Sequence, residues 1–74
     1  MKITKHAVER FRERVTPEST EVIKMFIEND IKRSTALYTV NGTEEKRVCD
    51  GIIYVLKTTE TKQQIVITLY LESE

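Results

Sequence analysis

The apolar positions change period near residue 34. Before it they recur at helical spacing; after it the chain turns β-branched, alternating and Thr-rich. Ala7, Val8, Phe11 and Val15 fall at i, i+1, i+4 and i+8, one arc of a helix over about residues 5–14. Thr4 precedes it as N-cap, since its hydroxyl can accept from a first-turn N–H that has no helical partner. Thr16-Pro17 is the sharpest punctuation, with Pro suited to a first helical position and Glu18 to the positive end of the helix dipole. A second helix is predicted from about Pro17 to Asn29, with an extension to Arg33 left open. It would bury Val22, Ile23, Phe26 and Ile27.

Beyond Ser34 the pattern is that of a meander. Ala36 to Val40 alternates and leads into Asn41-Gly42, a hairpin turn because both residues tolerate positive φ. Lys46 to Cys49 is the return strand, Asp50-Gly51 a second turn, and Ile52 to Lys57 the third strand. The polar run Thr58 to Lys62 turns the chain into a last strand, Gln63 to Leu71. Alternation there puts Ile65, Ile67, Leu69 and Leu71 on one face, and Val66, Thr68 and Tyr70 on the other. The expectation is an α+β fold in a single domain, residues 1–74. Two N-terminal helices would pack on one face of a four-stranded antiparallel sheet, in the order ααββββ.

Composition narrows the function classes. A chain of 74 residues buries only about 60% of its unfolded surface, so its stability is marginal and a homodimer or a protein partner is an expectation from size alone. With 39% hydrophobic residues, two Gly and one Pro, it is neither a disordered tail nor a low-complexity chain. Twelve basic residues balance twelve acidic ones, which excludes a uniformly basic nucleic-acid coat. The balance is local, however: residues 1–15 carry Lys2, Lys5, Arg10, Arg12 and Arg14 against Glu9 and Glu13. Cys49 is alone, and no Cys/His pair has zinc-site spacing, so no metal or other cofactor is expected. With no signal-peptide run and no stretch of about 20 apolar residues, the expected protein is cytoplasmic and makes no membrane contact.

His6, Arg10 and Arg14 stand at i, i+4 and i+8 and form one ridge of the first helix, each about 40° further round than the last. Guanidinium groups offer planar paired donors to a phosphate, and an imidazole exchanges a proton near neutral pH. The plainer alternative is that Arg10 and Arg14 are solvated and pair with Glu9, Glu13 or Glu18. Thr68 and Tyr70, at i and i+2 of a strand, also suit ordinary sheet packing. Tyr38 and Tyr54 read as packing aromatics and Cys49 as a small buried filler. Lys46-Arg47, beside Glu44-Glu45, reads as a solvated hairpin.

Two segments carry a resemblance. Thr4-Lys5-His6-Ala7-x-x-Arg10-x-x-x-Arg14 at the start and Ile67-Thr68-Leu69-Tyr70 at the end resemble a family of small phage, plasmid and bacterial proteins. Asp50-Gly51-Ile52-Ile53-Tyr54-Val55 is similar to that family's glycine-plus-hydrophobic strand. The family is grouped with the barnase–EndoU–colicin–RelE superfamily of metal-independent ribonucleases, many of them toxins. The resemblance implies an α+β domain whose sheet face binds RNA, with His6, Arg10, Arg14, Thr68 and Tyr70 as the catalytic positions. His6 would act as general acid or base, Arg10 and Arg14 would hold the scissile phosphate, and Thr68 and Tyr70 would contact the RNA. Val15-Thr16-Pro17 departs from the family's glycine step, and no second histidine exists for a two-imidazole mechanism.

Three functions follow as expectations. The first is an RNA-directed protein of phage or mobile-element type, in its strictest form a toxin-like endoribonuclease. The alternative is a non-catalytic interaction module that binds a protein partner or self-associates through the last strand, Ile65 to Leu71, at a sheet edge. The third is RNA or single-stranded DNA binding without turnover.

Overall fold

The computed structural model describes residues 1–40 and 42–74, with the backbone alone at Val40. In chain order the elements are β1 (Lys2–Ile3), α1 (Lys5–Arg14), α2 (Thr20–Arg33), β2 (Thr35–Val40), β3 (Glu44–Cys49), β4 (Ile52–Thr58) and β5 (Gln64–Leu71). The strands form one sheet in the order β1-β5-β4-β3-β2. β2 through β5 are the antiparallel meander the alternation predicts. The sheet has a fifth strand, however, and is mixed: β1 pairs parallel with β5, Lys2 opposite Ile65 and Ile3 opposite Val66. The expected four-stranded antiparallel sheet is corrected accordingly. A two-residue strand is too short to show a period, so the pattern of apolar positions could not reveal it.

α1 begins where Thr4 caps it. The Thr4 hydroxyl accepts from the Ala7 N–H at 3.1 Å and donates to the Ile67 carbonyl at 2.7 Å, so one side chain both starts the helix and ties it to β5. α2 starts three residues later than Pro17. Ser19 is its cap, its hydroxyl accepting from the Val22 N–H at 3.3 Å. Pro17 and Glu18 stay in the connection, where the Arg12 guanidinium donates to the Glu18 carbonyl at 3.2 Å and to the Thr20 hydroxyl at 3.0 Å. The helix runs through Asn29-Asp30 to Arg33, the longer of the two ends the sequence leaves open. There the Ser34 hydroxyl donates to the Ile31 carbonyl at 2.6 Å. Arg47 from β3 clamps the same end, donating to the Ser34 hydroxyl at 2.6 Å and to its carbonyl at 3.1 Å.

One hydrophobic core joins Ala7, Val8 and Phe11 of α1 and Ile23, Ile27 and Ile31 of α2 to Cys49, Ile52, Tyr54, Leu56, Val66 and Leu69 of the strands. Val15 and Phe26, expected inside, are exposed, although Phe26 stacks its ring at a tilt 6.1 Å from that of Phe11. The β5 alternation is also corrected. A bulge lies between the pairs Val55–Thr68 and Leu56–Val66, so Val66 and Leu69 both reach the core and Val66 does not share a face with Thr68. The Asp50-Gly51 turn is as predicted, with φ of +50° and +81°. Of the Asn41-Gly42 turn, Gly42 has φ +75°, while Asn41 lies outside the described residues.

Candidate functional site on the open face of the sheet

Strand alternation turns half of the sheet's side chains away from the core. Arg47 reaches the end of α2 and Cys49 enters the core, so their neighbours Lys46 and Val48 point to the opposite, open face. Lys46 pairs with Val55 and Val48 with Ile53; these pair in turn with Thr68 and Tyr70. Tyr38 stands opposite Lys46 on β2. The open face thus has an apolar floor of Ile53 and Val55, both about nine-tenths covered by their neighbours. Around that floor stand Tyr38, Lys46, Thr68 and Tyr70.

Lys46 is the centre of this group. Its ammonium donates to the Tyr70 hydroxyl at 3.1 Å. It also lies 5.3 Å from the centroid of the Tyr70 ring and 5.5 Å from that of Tyr38, within cation–π range of both. The hydrogen bond to Tyr70, and after it the Tyr38 hydroxyl, raises the Lys46 pKa above its ordinary value, so the ammonium stays charged throughout the physiological range. Tyr38 is 54% exposed, not the packing aromatic expected of it. Register also places Lys2, Lys57 and Glu44 on this face.

The five expected site residues divide between two places. Thr68 and Tyr70 are on the open face, half-buried. His6, Arg10 and Arg14 ride on α1, whose Ala7, Val8 and Phe11 enter the core from the other side. His6 is exposed and Arg10 half-buried. Arg14 donates to the Glu74 carboxylate at 3.1 Å, and that carboxylate also accepts from the Leu71 N–H at 2.8 Å. Among the described residues, no hydrogen bond or ion pair joins the helix trio to Thr68 or Tyr70. Three surface hollows lie elsewhere: between the helices near Lys5, Arg12 and Lys24, beside Phe26 and Arg33, and beside Lys2 and Gln63. None of the three is lined by any of the five.

From the sequence, Lys46 reads as part of a solvated hairpin because Glu44-Glu45 stand beside it, and Tyr38 reads as a packing aromatic, so neither is picked out as a site residue. The signal was present, since alternation across the hairpin sets Tyr38 and Lys46 on one face while Glu45 and Arg47 turn to the other. A second cluster forms at the far end of the sheet. The Tyr54 hydroxyl donates to Asp30 at 2.6 Å, and Arg33 donates to Asp30 at 2.9 Å and to Asp50 at 3.4 Å. Ligand atoms of Asp30, Cys49 and Asp50 lie within 4.8 Å of one another. Both Asp30 oxygens are already engaged, and burial raises the Cys49 pKa and keeps its thiol protonated, so this is a structural tie between α2 and the sheet.

No helix among the described residues is long and apolar enough to cross a membrane. No protein-family model matches the chain, and no curated protein or solved structure is significantly similar to it.

Proposed function

We propose that this chain is a small RNA-directed protein that holds single-stranded RNA on the open face of its sheet. The observation that carries the reading is the ammonium of Lys46 held between two tyrosine rings above an apolar floor. An exposed ring such as Tyr38 offers a π-face to any base, and a fixed ammonium beside it meets the phosphate that follows the base. Thr68 adds a hydroxyl, and Lys2 and Lys57 extend the positive surface along the strands. Neutral overall charge suits a short footprint of a few nucleotides rather than a long coat.

The reading is one of binding. Cleavage by His6 with Arg10 and Arg14 needs those groups at a phosphate seated on the open face, and no described contact carries them there. The test is fluorescence anisotropy with a labelled single-stranded oligonucleotide of mixed sequence, about ten nucleotides long, at low and moderate salt. Wild-type protein is expected to bind with a salt slope of about −2, as three cations on single-stranded nucleic acid would give. Tyr38→Ala and Lys46→Met should each weaken binding about tenfold, the loss of one stacked base or one cation. His6→Ala should leave it unchanged. Equal binding by wild type, Tyr38→Ala and Lys46→Met would overturn the reading, as would no binding at all at low salt.

A further inference from the structure

β2 is the outermost strand of the sheet and pairs with β3 alone. Its six residues, Thr-Ala-Leu-Tyr-Thr-Val, hold no charge, no proline and no glycine. Thr35 to Thr39 are all exposed, Leu37 by 44%. Proteins usually blunt such an edge with lysine, proline or a covering loop, since a row of unpaired N–H and C=O groups is a template for another strand. A bulge is another such device, and among the described residues β2 carries one, at the register shift between Ala36 and Tyr38.

The opposite edge is treated differently. β5 is flanked by β1 over Ile65 and Val66, and Thr4 donates to the carbonyls of both Val66 and Ile67. The Leu71 N–H is taken by Glu74. The last strand, expected as the pairing edge, is therefore closed along much of its length, and the open edge is β2.

Charge gives a weak preference for one orientation of a partner. On β3, Glu44 and Glu45 lie beside Val40 and Thr39, whereas Lys46 and Arg47 lie beside Tyr38 and Ala36. Glu45 and Arg47 pair with each other at 3.5 Å, so Glu44 and Lys46 leave the edge only weakly acidic at one end and weakly basic at the other. A second copy laid antiparallel sets acidic end against basic end, while a parallel copy sets like against like. The facing charges would be three strand spacings apart, about 14 Å. That exceeds the Debye length of about 8 Å at physiological salt, so these charges are largely screened there; they bias the orientation at low salt, and main-chain pairing supplies the affinity.

We infer that β2 is a dimerisation edge: two copies pair β2 to β2 about a twofold axis and extend each five-stranded sheet into a continuous one of ten. An antiparallel strand edge is self-complementary, so an identical neutral strand satisfies it without any new chemistry. The inference concerns the protein alone and does not rest on RNA binding. It would, however, bring the two Tyr38 side chains toward one another at the join and make the two open faces continuous.

Sedimentation velocity of the full chain without nucleic acid, from about 1 to 100 µM, tests it. The expected result is a species of twice the 8.7 kDa chain mass that grows with concentration. Leu37→Lys and Thr39→Lys, both at exposed positions, should each weaken dimerisation at least tenfold while leaving far-UV circular dichroism unchanged. Hydrogen exchange of the wild type supplies a readout that needs no variant: amides of Ala36 to Thr39 should gain protection as concentration rises. A strictly monomeric chain at 100 µM, a dimer that both variants keep, or concentration-dependent protection confined to another segment would each overturn the inference.

Discussion

Thr4 bonds in two directions at once, to the Ala7 N–H in its own helix and to the Ile67 carbonyl 63 residues away. The first bond was readable from sequence, because an N-cap is a local event at fixed spacing. The second was not, because nothing in a local pattern reports which strand a helix start will meet. Thr4→Ala should cost about 2 kcal/mol in denaturant unfolding, at the upper end for a cap since a strand tie is lost too. Thr4→Ser, which keeps both bonds, should recover most of it. Tyr54 offers a pH test. Burial, and then its bond to the Asp30 carboxylate, raises its pKa far above the ordinary tyrosine value. A group whose folded pKa is raised contributes stability below its unfolded pKa and loses it as pH climbs. Wild-type stability should therefore fall progressively above about pH 10, the unfolded tyrosine value. Tyr54→Phe should be less stable at neutral pH and fall less steeply across that window. Parallel slopes for the two proteins would rule this out. Because Cys49 is also raised by burial, a shallower alkaline decline should persist in the variant.

At the scale of elements, periodicity located both helices and all four long strands, since each spans enough residues to repeat its pattern. Boundaries stayed open where a single tertiary contact decided them. α2 takes the longer of its two expected ends, Arg33 rather than Asn29, because Asp30 is used by Tyr54 and Arg33, and because Arg47 secures the end at Ser34. Arg47→Ala should cost about 2 kcal/mol, the scale of hydrogen bonds to a charged donor, and should fray the last turn of α2 first in hydrogen exchange. The β5 bulge was illegible for another reason: Ile65 to Leu71 is apolar at nearly every position, so alternation could not reveal the inserted residue. The Asp50-Gly51 turn was legible because Gly tolerates φ > 0 where other side chains do not. Space for a Cβ exists at Gly51, so Gly51→Ala should cost only the backbone term, about 1 kcal/mol. A loss several times larger would mean that the turn does more than its dihedral angles require.

For the whole molecule, the sheet acts as a partition. Its inner side chains share a core with both helices, and its outer side chains form a surface with tyrosines, a charged lysine and an apolar floor. Thr68 and Tyr70 share one face as alternation predicts, without Val66, and Tyr70 meets a cation, but that cation is Lys46 rather than a residue of α1. Partnering of side chains from separate strands depends on register, and register follows from bulges and turns that the apolar pattern leaves undetermined. Methyl NMR tests this partition most directly, because the two sides of the sheet carry distinct reporters. On titration with a short single-stranded RNA, the methyl signals of Val48, Ile53 and Val55 should shift along with the side chain of Lys46. Those of Ile23 and Ile27 in the core, and the ring of His6, should stay in place. Shifts that instead track His6 and the α1 ridge, with the open-face methyls unmoved, would contradict the account.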